Sequence, residues 1–154
     1  MRVAGADAIR IVRVDGRGPG ALPQGLLSSA EAVHRQLRPH LDPDYASQMA
    51  RILAGGAGMI VAVSGDRVLG VAVFRWFENT HAGRRFYVDD LVTDADARST
   101  GVGAAMLRWL EAEARAQGCG SVELESGAQR TRAHRFYFRE GFLITGFSFK
   151  KALQ

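Results

Sequence analysis

The stretch DDLVTDADARSTGVGAAM, residues 89–106, constrains the fold more than any other part of the chain. It opens as a strand, passes through a basic glycine turn, ARSTGVG, and continues as a helix. From Gly101 the apolar residues Val102, Ala105, Met106, Trp109, Leu110 and Ala116 share one helical face, while Arg108, Glu111 and Arg115 share the other. Gly118 supplies the stop. A strand that runs through glycines into a helix exposes unpaired backbone N–H groups, the arrangement that holds anions. Gly101 and Gly103 let the backbone approach a bulky diphosphate, and Arg98 adds a positive charge at the lip. Glycines before a helix also make ordinary tight turns, so this reading needs support from the rest of the chain.

That support begins with the element order. AIRIVRV reads as a first strand, and DGRGPGALPQG, residues 15–25, as a Gly/Pro-rich loop. LLSSAEAVHRQL and DPDYASQMARIL read as two helices, the second with Asp42 as N-cap and Pro43 at its first position. MIVAV and VLGVAVFRWF flank a hairpin turn, SGDR, and RRFYVDDLVT forms a further strand. After the glycine-loop helix come a strand at SVELES, a helix over about residues 129–140 ended by Gly141, and a last strand at FLITGFSFKK, where Phe147 and Phe149 alternate with Ser148 and Lys150. Antiparallel strands followed by strand-helix-strand units imply a mixed sheet with helices on its faces.

Length and composition fit one domain over residues 1–154, since 154 residues with 47% hydrophobic content can form one core. Cys119 is alone and His34, His40, His81 and His134 are scattered, so neither a disulfide nor a structural zinc site is expected. The N-terminal MRVAGADAIRIVRV lacks the apolar core of about 7 to 15 residues that a secretory signal needs, and no apolar run approaches about 18 residues. These features lead to the expectation of a cytoplasmic protein that does not engage a membrane. The net charge is +4, and all but two of the 20 Lys and Arg residues are arginine. Arginine-rich chains favour phosphate-bearing partners, nucleic acid or nucleotide, although biased codon usage gives the same skew.

Two nucleotide-binding motifs fail on detail. GVGAAM offers G-x-G, with Glu123 twenty residues past Gly103, but Met106 stands where a Rossmann turn needs a third small residue. No Gly-Lys-Ser/Thr occurs, so a P-loop is excluded.

DDLVTDADARSTGVGAAMLRWLEAEARAQG resembles the pyrophosphate motif of the GNAT superfamily of N-acetyltransferases, Arg/Gln-x-x-Gly-x-Gly/Ala after a strand. AHRFYFREGF is similar to that superfamily's Ala-x-x-Phe-Tyr-x-x-x-Gly-Phe segment. The resemblance covers roughly residues 57–151. It implies an α/β (α+β) fold with a mixed, mostly antiparallel central sheet flanked by helices, and acetyl-CoA as cosubstrate with no metal. Carried over by position, Leu91, Val92 and Thr93 would face the pantetheine arm, and Arg98, Ser99, Thr100, Gly101, Val102, Gly103 and Ala104 would cradle the pyrophosphate. Arg130 departs from the pattern, standing where an asparagine is frequent, and with Arg132, Arg135 and Arg139 it is a candidate for the cofactor's 3′-phosphate.

Asp89 and Asp90 are consecutive on a strand covered on both faces, so they must point to opposite sides, and at least one should meet apolar core. Burying an unpaired carboxylate is costly. A bulge would relieve this, and the resemblance implies one on this strand, beside an acetyl pocket. The acids would then line a site for a cation such as a protonated amine. The chemistry implied is direct attack of a primary amine on the thioester in a ternary complex. Glu125 would be the base, with Asp89 or Asp90 as the alternative, and Tyr137 the general acid toward the thiolate. A non-catalytic acetyl-CoA sensor of the same fold is the other reading. The substrate could be a small-molecule or a protein amine. No nucleic-acid partner is expected, because no binding module or interleaved aromatics occur. Dimerisation is common among such proteins, and the sequence leaves a homodimer open.

Overall fold

The computed structural model describes residues 8–18 and 25–154. Its elements are β1 (Arg10–Arg13), α1 (Leu26–Leu37), α2 (Tyr45–Ala54), β2 (Gly58–Ser64), β3 (Arg67–Asn79), β4 (Gly83–Thr93), a 3-10 turn (Ala95–Ala97), α3 (Val102–Ala116), β5 (Val122–Leu124) and α4 (Thr131–Arg139). Of the loop expected over residues 15–25, residues 19–24 lie outside the described residues. The chain divides into two compact units, the first ending at Glu123 and the second spanning Leu124–Gln154.

The sheet order is β1-β2-β3-β4-β5, and the three pairs from β1 to β4 are antiparallel. β4 and β5 are joined through α3, the crossover that neighbouring parallel strands require. Gly58 through Val63 of β2 are all buried, because this strand is covered on both faces and is apolar on both. On one face, Ala30 and Val33 of α1 and Tyr45 and Met49 of α2 pack with Val61, Val71 and Val92. Elsewhere in the core, Phe74 stacks on Phe86 at 5.3 Å and lies 5.7 Å from Trp109 of α3. Gly70 lets α3 approach β3, since a Cβ there would stand 2.6 Å from Met106 Cε and 3.0 Å from Val102.

Several boundaries differ from the sequence reading. The N-cap of α2 is Asp44, not Asp42: its carboxylate accepts from Ser47 N at 3.1 Å, while Asp42 instead accepts from Asp44 N. Pro43 therefore precedes the helix. The 3-10 turn was not anticipated; Asp94 caps it by accepting from Asp96 N.

In the second unit, α4 contributes no buried residue, and Tyr137 packs its ring against Phe136 and Phe142 at 5.4 and 5.6 Å. The strand expected at FLITGFSFKK is not formed. Residues 142–154 have no regular structure, and Phe147 and Phe149 are 85% and 94% exposed. Alternating apolar residues supply one side of a strand, but a strand is held by cross-strand partners, and this unit offers no second strand beyond Leu124.

Candidate functional site

The register of β3 on β4 breaks at the paired acids. Val73 lies opposite Asp90 and Phe74 opposite Val88, so Asp89 is the extra residue of a β-bulge. The extra residue changes which face the later side chains address. Phe86 belongs to the aromatic stack with Phe74, whereas Val92, six residues on, packs with α1 and α2. An unbroken strand would put both on one face.

The expected opposition of the two carboxylates is removed by the bulge: Asp90 lies opposite Val73, Asp89 pairs with Arg75, which alternates with Val73 on the same face of β3, and both acids find cations within the protein. Asp89 accepts from Arg75 Nε at 2.8 Å. Asp90 Oδ1 accepts from Arg38 Nε at 2.7 Å, and its Oδ2 lies 2.8 Å from His34 Nε2. Arg38 Nη2 also donates to the Asp89 carbonyl at 3.2 Å, so the end of α1 fastens the bulge through side chain and backbone together. Burial alone would raise the Asp90 pKa, but the bonds from His34 and Arg38 outweigh it and hold the carboxyl below its ordinary value. His34 is buried, and its Nδ1 lies 3.0 Å from the hydroxyl of buried Tyr45.

Beyond the bulge, Leu91, Val92 and Thr93 continue the ladder opposite Ala72, Val71 and Gly70. Asp94 then ties the strand to the turn: it accepts from Gln36 at 3.1 Å and Arg67 at 2.6 Å, while Gln36 accepts from Ala95 N at 2.9 Å. The Gln36 and Arg67 bonds keep its carboxyl below its ordinary pKa. Arg98, Ser99, Thr100 and Gly101 follow as an exposed loop. Ser99 at φ 63 is the one non-glycine residue at positive φ among the described residues, and Gly101 has φ 89. Gly101 caps α3 with no side-chain hydrogen bond, and Thr100 Oγ1 is turned back onto the Ala97 carbonyl at 2.6 Å. The first N–H groups of α3, at Val102, Gly103 and Ala104, therefore have no side-chain acceptor, and this fits an external anion such as a diphosphate.

Glu125, Arg130 and Tyr137 belong to the second unit. Glu125 is exposed just past β5, Arg130 is the exposed N-cap of α4, and Tyr137 is half-buried on that helix. Burial raises the Tyr137 pKa despite nearby Arg130, which keeps the phenol protonated. Among the described residues, no group of three or more His, Cys, Asp or Glu could hold a metal ion, and no helix is long and apolar enough to cross a membrane.

A strand interrupted by a bulge, continued into an uncapped helix N-terminus, is the geometry that the resemblance implies. Residues 26–142 match the acetyltransferase (GNAT) family. The chain belongs to this family. Among curated relatives, the uncharacterized N-acetyltransferase YhdJ of Bacillus subtilis is 44% identical over 46% of this chain and 51% of its own. The aminoalkylphosphonate N-acetyltransferase of Salmonella typhimurium is 35% identical over 60% of this chain and 61% of its own. The matches thus span only about half to three fifths of these relatives' length. Among solved structures, the aminoglycoside N-acetyltransferase AAC(6')-Iy in complex with CoA superposes with a TM-score of 0.83 at 14% identity, covering 100% of this chain and 99% of that one. A transcriptional regulator from Bacillus halodurans superposes with a TM-score of 0.78 at 22% identity, covering 95% of this chain and 100% of that one. These likenesses place the GNAT chain in the GNAT α/β fold.

Sequence reasoning had no hold on His34, Gln36, Arg38, Tyr45, Arg75 or Asp94 as partners of the site. One signal was available: His34 sits on the α1 stripe with Ala30, Val33 and Leu37, and a polar residue on a buried stripe requires a partner.

Proposed function

We propose that the chain transfers the acetyl group of acetyl-CoA to a primary amine by direct attack in a ternary complex. The uncapped start of α3, reached through the Ser99–Gly101 turn just beyond the Asp89 bulge, carries this reading. Arg98 through Ala104 would cradle the pyrophosphate, Leu91–Thr93 would line the pantetheine, and Arg130 would face the 3′-phosphate. The amine arrives as an ammonium with a pKa near 10.4 if it resembles lysine, and must lose a proton before it attacks. Glu125, exposed just past β5, would be the base. Asp89 and Asp90, engaged by arginines, are the alternative; Asp90, whose carboxyl is held below its ordinary value, is better suited to attract the ammonium than to keep its proton. A main-chain donor near Leu91 would stabilise the oxyanion. Tyr137, kept protonated by burial, would give its proton to the departing thiolate.

The named activities of the relatives, on aminoalkylphosphonate and aminoglycoside, support a small-molecule amine as acceptor. Cys119, buried and unbridged, suits a reducing cytoplasm. Free-thiol release from acetyl-CoA across an amine panel tests the activity; acetyl-CoA binding with no release for any amine leaves a sensor. Tyr137→Phe and Glu125→Gln should each depress kcat, and full kcat in both across pH 6 to 9 refutes the acid and base roles.

A further inference from the structure

We propose that His34 is a positioning residue for the amine acceptor: Tyr45 fixes it as the neutral Nε2–H tautomer, and that N–H holds the Asp90 carboxylate ready for the incoming ammonium. This rests on the acetyltransferase reading above.

The hydrogen-bond chain runs in one direction. An ionised carboxylate only accepts, so His34 Nε2, at 2.8 Å from Asp90 Oδ2, carries a proton. Tyr45 O–H needs an acceptor because the residue is buried, and His34 Nδ1 lies 3.0 Å away. Were Nδ1 protonated as well, it would donate to the phenol oxygen and leave the phenol proton without this acceptor. The chain is therefore Tyr45 O–H to Nδ1, then Nε2–H to Asp90.

Neutrality of the ring sets the charge at the bulge. Arg38 already supplies one positive charge to Asp90 Oδ1 at 2.7 Å. A second cation at Oδ2 would overcompensate the carboxylate and repel an ammonium; a neutral imidazole orients it without that effect. Each carboxylate oxygen has two lone-pair sites; Arg38 brings both Nε and Nη2 to 2.7 Å from Oδ1, whereas Oδ2 has His34 Nε2 alone and keeps a site open. The Asp90 side chain keeps 13% of its surface exposed, the part through which an ammonium can reach that site. His34 itself is 1% exposed and cannot touch substrate, so it acts through Asp90.

The test uses the whole chain with acetyl-CoA and the best amine from the panel. His34→Leu removes the donor and should lower kcat/KM for the amine by about 10- to 100-fold, the penalty for a slightly misplaced reacting group, while the Kd for acetyl-CoA stays unchanged. His34→Gln places an amide N–H where Nε2–H stands and should restore most of the loss. In an Asp90→Asn background, His34→Leu should add nothing, because the effect runs through that carboxylate. Nitrogen NMR of the wild-type ring should show Nε2 protonated and Nδ1 not, and Tyr45→Phe should abolish that preference. A folded His34→Leu protein with unchanged kcat/KM overturns the proposal, as does a ring protonated on Nδ1. Should His34→Leu fail to fold, a His34→Gln protein no more active than His34→Asn overturns it equally. If no amine releases thiol, the acetyltransferase reading fails, while the NMR result still decides the state of His34.

Discussion

Two glycines, two residues apart, should respond to alanine in opposite ways. Gly101 has φ 89, a left-handed conformation that a side chain disfavours by about 1–2 kcal/mol, so Gly101→Ala should lower the apo Tm by roughly 2–8 °C for a chain of this size. Gly103 lies in the first turn of α3, where alanine is the better helix former by about 0.5 kcal/mol, so Gly103→Ala should raise the apo Tm by roughly 1–2 °C. Its effect on the ligand should run the other way. A Cβ beside the helix N-terminus keeps a diphosphate from close approach, and losing one hydrogen bond to a charged group, about 1.5 kcal/mol, weakens binding about tenfold. At a concentration of 100 times Kd, acetyl-CoA should stabilise the wild type by about 2.7 kcal/mol, and the same concentration should stabilise the variant by about 1.4 kcal/mol. In a thermal-shift assay the increment should therefore fall from roughly 5–11 °C to roughly 3–6 °C. A Gly103→Ala protein with a raised apo Tm and an undiminished acetyl-CoA increment would refute the placement of the diphosphate on α3.

Other consequences concern stability. Arg13 joins Asp15 at 2.8 Å and Glu113 at 3.0 Å and lies 5.8 Å from the Phe74, Trp76 and Trp109 rings; the Asp15 side chain is fully buried. Arg13→Ala leaves that buried carboxylate without its cation, held only by the backbone N–H groups of Arg17 and Met59, and should cost about 3 kcal/mol, a Tm loss of roughly 6–12 °C by calorimetry. Asp94 has a folded pKa below its unfolded one, so its contribution is present above the unfolded value, near 3.9, and fades as pH falls through the folded value. Melts from pH 7 to 3 should show a shallower acid limb for Asp94→Asn than for the wild type; parallel limbs would count against it. Burial pushes the Cys119 thiol up despite Arg84, so a thiol reagent should label the native chain far more slowly than the unfolded one.

Much of this arrangement is legible in the sequence where a local pattern suffices. α1 covers the residues that LLSSAEAVHRQL marks, and the SGDR turn joins β2 to β3 because Gly65, at φ 56, meets the demand of a two-residue hairpin. The bulge was foreshadowed by two adjacent acids that no continuous buried strand could accommodate. What stayed hidden depends on distance along the chain. Asp90 meets His34 and Arg38 across more than fifty residues, a pairing that no local spacing records. Asp44 takes the cap because its carboxylate reaches Ser47 N, a competition that composition cannot decide between it and Asp42. The final strand failed for a related reason: alternation describes a surface, and a strand also needs a neighbour.

The extra residue at Asp89 gives β4 two audiences. Before it, Phe86 answers to the aromatic side chains around Phe74; after it, Asp90 and Val92 answer to the first two helices. A movement begun in α1 is thus delivered directly to the backbone that leads into the glycine turn, with no intervening layer to absorb it. Repacking far from the turn, on the inner side of α1, offers a way to retune the grip proposed for that turn on a diphosphate.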